Sequence, residues 1–195
     1  MLQQTDQDND DLLGKKPVVS LRIDNATVED TFVQLLKAAR IPGGLALAAR
    51  TTQTSYSFNF ENTTMKEALE RLVGSDDIYA WRYEQGAIYL FPKGLPPKFL
   101  DVHIAAFKAG PSPIDGLLGH LVDLPEIRVA RSNLKLHPAR FLGGLYSPQP
   151  RLISVDLRDV TLAEALNAIA AKHGSAIWQY AEDKDGEYSL LFVSR

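Results

Sequence analysis

The chain has 195 residues, of which 45% are hydrophobic, 23% charged and 9% aromatic, the make-up of an ordinary folded protein and not of a disordered or membrane-embedded one. Its formal charge is −3; the first 16 residues carry four acids and two bases, so the remainder stands at 19 bases against 20 acids, too near neutrality to steer it onto nucleic acid or an anionic membrane. The absence of cysteine excludes disulfides, thiolate metal sites and a cysteine nucleophile, and no run of about 18 apolar residues offers a membrane span.

Residues 1–16, MLQQTDQDNDDLLGKK, are polar, lack the basic-then-apolar order of a secretory signal, and read as a disordered tail. Beyond them, Val19, Leu21 and Ile23 alternate with polar neighbours, the period of a half-buried strand. Thr27 then stands three residues before Asp30, and Val28, Phe32, Leu35 and Leu36 follow at helical spacing. The pattern returns with Tyr56, Phe58 and Phe60 as a strand, Thr64 and Glu67 at capping-box spacing, and Met65, Leu69, Leu72 and Val73 as a helical stripe. Asn25-Ala26-Thr27 and Asn62-Thr63-Thr64 have the form of glycosylation sequons, but each ends on a cap threonine, which turn chemistry before a helix explains better. Trp81-Arg82-Tyr83 and AIYLF, with Gly86 between them, complete the first unit as a hairpin.

The proline-rich PKGLPPK reads as a linker. After it, FLDVHIAAFKAGPSPIDGLLGHLV is a degenerate strand-helix module, with Ser112 as cap, Pro113 at the first helical position, and Ile114, Leu117, Leu118 and Leu121 apolar. Residues 127–151 form an insertion where the first unit needs only a short passage between strands; it holds Arg128, Arg131, Lys135, Arg140 and Arg151 without one acid. A clear copy follows: Ile153, Val155 and Leu157 as strand, Thr161 and Glu164 as cap, Leu162, Leu166, Ile169 and Ala170 as stripe. Trp178-Gln179-Tyr180 lies 17 residues after Thr161, as Trp81-Arg82-Tyr83 does after Thr64, and EYSLLFV returns past Gly186.

These elements predict an α+β protein of two tandem two-layer units, 17–93 and 98–195. Each has two strand-helix modules and a terminal hairpin, with helices on one face of a mixed sheet. SLRIDNATVEDTFVQLLKAARI and SFNFENTTMKEALERLVGSDDIYAWRYEQGAIYLF, which span nearly all of the first unit, resemble the short N-terminal domain shared by secretins and TonB-dependent signalling receptors. SVDLRDVTLAEALNAIAAKHGSAIWQYAEDKDGEYSLLFV carries the same resemblance in the second unit, whose first half diverges. This βαβ-repeat module is also similar to the C-terminal part of some iron-responsive anti-sigma regulators. The resemblance implies a periplasmic docking module without catalytic residues or cofactor, its signal peptide absent from this chain and no membrane insertion of its own. It departs from the family in that no membrane barrel or secretion pore follows within the 195 residues.

Enzyme signatures are missing: there is no GxGxxG, P-loop, HExxH or GxSxG. Asp101 with His103, and His120 with Asp123, share faces but read as solvated surface, so no metal site is expected. The two Trp-x-Tyr strands read as core, because their alternate residues are polar; an exposed platform for a base or sugar is the other reading. In the insertion, Arg128, Arg131, Lys135 and Arg140 with Phe141, Leu145 and Tyr146 form a candidate interface for an acidic protein face, against the alternatives of a solvated excursion with an extra strand or a segment that binds phosphate or nucleic acid, for which interleaved aromatics and an overall basic charge are missing. The function expected is protein docking, for signalling or envelope assembly, with an envelope protein or a second copy as partner and no nucleic acid. A small-ligand or glycan-binding protein using the inter-domain cleft or the aromatic strands is the alternative.

Overall fold

The computed structural model describes residues 13, 20–49, 54–94, 96–139 and 150–193. In chain order these form β1 (Leu21–Ala26), α1 (Val28–Ala39), β2 (Gly43–Ala46), β3 (Tyr56–Phe60), α2 (Met65–Gly74), β4 (Tyr79–Glu84) and β5 (Ala87–Pro92) in the first unit. The second unit holds β6 (His103–Ser112), α3 (Ile114–Val122), α4 (Pro125–Asn133), β7 (His137–Pro138), β8 (Ile153–Thr161), α5 (Leu162–His173), β9 (Ile177–Glu182) and β10 (Glu187–Val193). Leu13, within the stretch read as a tail, is buried in the first unit's core.

The strand-to-helix corners are built the same way three times. Thr27, Thr64 and Thr161 each accept a hydrogen bond from the backbone N–H three residues on, and at Thr64 and Thr161 the glutamate reaches back to the cap's own N–H. Two residues before each cap, Asn25, Asn62 and Asp159 adopt positive φ (54°, 49° and 56°), the left-handed turn that Asn and Asp tolerate best. Ser112 does not cap α3. It ends β6, and Pro113 occupies the cap position with no side-chain bond. Residues 127–133 of the region read as an excursion belong to the helix α4, which starts just before it with Pro125 in its first turn, and Ile127 is buried beneath it.

Strand pairing writes the duplication into the fold. Antiparallel β1·β3 in the first unit corresponds to antiparallel β6·β8 in the second. The remaining strands make one mixed sheet in the order β4-β5-β2-β9-β10-β7. This is the trio β4-β5-β2 followed by its counterpart β9-β10-β7, so the two units share a sheet through parallel pairing of β2 with β9.

Each unit lays its helices on one face, but the two units use opposite faces. Gly43, Ile88 and Ile177 stand in one row across β2, β5 and β9, and Gly44, Tyr89 and Trp178 in the next, so the two rows point to opposite sides. Ile88, Leu90 and Ile177 join Phe32, Leu36, Leu69 and Leu72 from α1 and α2 in one cluster. Ala46, Tyr89 and Trp178 join Leu162, Leu166 and Ile169 from α5 in the other. The middle of the sheet is therefore covered twice, which is why β2 is buried at every residue and why α5, beyond its expected stripe, also buries Ala163, Ala165, Asn167 and Ala168.

Candidate protein-docking edges

The joint between the units shows what a strand edge of this sheet accepts. Gly43 N–H donates to Ala176 O at 3.2 Å and Leu47 N–H to Tyr180 O at 2.8 Å, so β2 is added to β9 by main-chain bonds. The approach needs both glycines. A Cβ at Gly43 would press on Leu36 and lie 2.6 Å from Ile88 O, and one at Gly44 would fall inside the indole of Trp178. That indole is fully buried, tilted against Tyr89 with ring centroids 5.0 Å apart, and its Nε1–H donates to Asn167 Oδ1 at 2.8 Å.

Polar groups continue the contact across the joint. Asn167 Nδ2 donates to Glu84 Oε2 at 3.3 Å, and Glu84 pairs with Arg82 at 3.1 Å, whose guanidinium lies over Tyr89 and Phe91. Burial holds the Glu84 carboxyl above its ordinary range; Arg82 and the bond from Asn167 pull it down, and the charge of Glu164 adds to the rise. A carboxyl whose pKa is higher in the folded than in the unfolded chain favours folding at acid pH and loses that contribution as pH rises through the folded value. Glu84→Gln, which keeps an acceptor for Asn167, is therefore expected to raise stability at neutral pH. Chemical denaturation should show the gain shrinking as the pH falls through the raised folded value of Glu84 and gone once the pH is below the ordinary glutamate range.

Among the described residues no strand pairs with either outer edge of the shared sheet. At one end, Lys93 N–H donates to Ile78 O at 2.7 Å. By antiparallel alternation Ala80, Arg82 and Glu84 then bond toward β5, while Tyr79, Trp81 and Tyr83 turn their N–H and C=O groups outward. Trp81 and Tyr83 are half-buried there. At the other end, His137 and Ala139 donate to Gly186 O and Tyr188 O, which leaves Pro138 on the outer side, where it brings no N–H. Beyond Tyr188 no described strand pairs with the outer side of β10, and a groove of about 360 Å³ runs between β10 and α3, lined by Leu118, Val122, Leu190 and Phe192 with Asp115 and Arg131 at its polar rim.

No protein-family model, curated protein or solved structure matches the chain. Of the sequence-derived interface, Arg128 and Lys135 are exposed on and just after α4, and Arg131 bonds Tyr188 Oη at 3.5 Å beside the groove. Arg140, Phe141, Leu145 and Tyr146 lie outside the described residues. Trp178 and Tyr180 are buried and the joint between the units is packed, so neither offers the aromatic platform or open cleft of the ligand-binding alternative. Asp101 sits in a turn ahead of β6, and His103 meets Asp159 across β6·β8 at 2.6 Å on an exposed surface. Among the described residues no three His, Asp or Glu side chains converge as metal ligands.

What the sequence reading missed is β2. Gly-Gly-Leu-Ala has neither alternation nor β-branched residues, and its strand character comes entirely from its neighbours. One signal was available: Gly43-Gly44-Leu45 recurs as Gly143-Gly144-Leu145.

Proposed function

We propose that the chain is a non-enzymatic docking module of the cell envelope, acting in the periplasm as the secretin and TonB-receptor resemblance suggests, and binding proteins by addition of a strand to its sheet. The observation that carries this reading is the β4 edge. Among its residues Trp81 and Tyr83 display outward main-chain groups and half-buried aromatic rings, while the corresponding edge, β9, already holds an added strand. The groove along β10, apolar along Leu118, Val122, Leu190 and Phe192 with Arg131, Asp115 and Asp123 at its rim, is a second surface, suited to an apolar segment. Among the described residues no helix is long and apolar enough to cross a membrane.

The test is capture of partners from native envelope extract, followed by amide hydrogen exchange on the purified complex. The expected result is new protection at Trp81 and Tyr83 or along Leu190–Phe192. Complexes that protect neither edge, or no complex at all, would contradict the proposal.

A further inference from the structure

Resting on that docking reading, we propose that the outer side of α4 is a further contact surface, and that its partner is an acidic protein segment with an apolar residue beside its carboxylates. The internal duplication supplies the control. In the first unit α1 passes to β2 through Arg40–Pro42 alone, whereas in the second α3 passes to the corresponding strand, β7, by way of α4. The added helix does little for the core: of its nine residues Ile127 alone is buried. The first unit makes the same passage without such a helix, so what α4 adds to the molecule is the side it turns to solvent.

That side is cationic and apolar at once. With 3.6 residues per turn, Pro125, Arg128, Val129 and Ser132 fall away from Ile127, and Arg131 falls on the flank. Together with the buried Leu136 they line a shallow hollow of about 520 Å³. Arg128 and Ser132 are exposed, Val129 is 59% exposed, and Lys135 stands exposed just past the end of the helix. Arg131 gives one of its five donors to Tyr188 Oη at 3.5 Å. Among the described residues no carboxylate pairs with Arg128, Arg131 or Lys135. Glu126 lies across the helix from Arg128, and Asp115 and Asp123 border the β10 groove and not this hollow.

Two guanidinium groups and a hydroxyl at positions i, i+3 and i+4 are neighbours on the helix surface, so one carboxylate can take paired bonds from an arginine and another from Ser132. Pro125 and Val129, beside them, suit an apolar side chain next to that carboxylate. The net charge of −3 opposes nucleic acid or an anionic membrane at long range, while a short acidic segment meets only the local patch at contact. Phosphate alone would leave Val129 in water. A protein segment uses both halves of the surface.

The test uses a synthetic Glu-Glu-Leu-Glu-Glu peptide, acetylated and amidated to remove its terminal charges, titrated to about 5 mM into the full isotope-labelled chain and followed by amide NMR shifts. The expected result is saturating shifts at Arg128, Val129 and Ser132 that weaken with added salt. Arg128→Glu should weaken binding at least about fivefold with no change in melting temperature, because its side chain is exposed and unpaired among the described residues. Gln-Gln-Leu-Gln-Gln should not bind, and Glu-Glu-Ser-Glu-Glu should bind more weakly than the leucine peptide. No binding, shifts centred away from α4, indifference to Arg128→Glu, or an equal response to inorganic phosphate or phosphatidylglycerol vesicles would overturn the inference. If it falls while an envelope protein protects Trp81 and Tyr83, the docking reading stands without this partner chemistry; if neither is observed, both fall.

Discussion

Gly44→Val is expected to destabilise the chain by about 3–5 kcal/mol, a large effect for a residue that carries no side chain. Ordinary overpacking is worth about 1–3 kcal/mol because neighbours shift to make room. Here the neighbour is the fully buried indole of Trp178, held by Tyr89 on its face and by Asn167 at its nitrogen, and it has nowhere to go. Relief comes only by parting β2 from β9, which removes the hydrogen bonds from Gly43 and Leu47 and uncovers both clusters at their meeting point. In urea the unfolding midpoint should fall, and the slope with it, because the two units stop unfolding as one. A change below about 0.5 kcal/mol, the usual range for a surface position, would show that the units do not depend on this joint.

The second large effect separates two tryptophans that the sequence makes equivalent. Trp178→Ala removes a fully buried ring, at about 3–5 kcal/mol for the transfer and cavity, and strands Asn167 Oδ1 in a buried site, for a total of about 4–6 kcal/mol. Trp81→Ala removes a half-buried ring from an edge strand and is expected at about 2 kcal/mol. Guanidinium denaturation of both variants gives the comparison directly. Equal losses would mean that Trp178 gains nothing from the strand laid over it.

This inequality also marks where the amino-acid sequence stops being legible. The capped helices, their stripes and the two hairpins follow from spacing that acts within about twenty residues, and Thr64 with Glu67 and Thr161 with Glu164 are found where that spacing places them. The joint does not follow. β2 is a strand because β5 and β9 lie on either side of it, and its glycines, which weaken a strand in isolation, are what allow the indole and Leu36 to close over it. The alanines of α5 carried the same information in a quieter form. Glu70 and Arg71 at matching positions of α2 are exposed, whereas Asn167 and Ala168 are buried, so the difference between the repeats and not their likeness identified the face that meets the other unit. For the candidate interface, α4 and its exposed Arg128 were readable only in part. The absence of acids across 127–151 marked a surface, but the helix that presents it begins with Pro125-Glu126, just outside that window.

The central claim is that this sheet has one strand edge already occupied, at β9, and an equivalent one, at β4, with no strand paired to it among the described residues. Residue-resolved amide hydrogen exchange on the dilute free chain measures both at once. Gly43 and Leu47, bonded to β9, should exchange only when the whole sheet unfolds, and Trp81 and Tyr83 should exchange at least about a hundredfold faster. Fast exchange at Gly43 and Leu47, or protection at Trp81 and Tyr83 as strong as theirs, would contradict it.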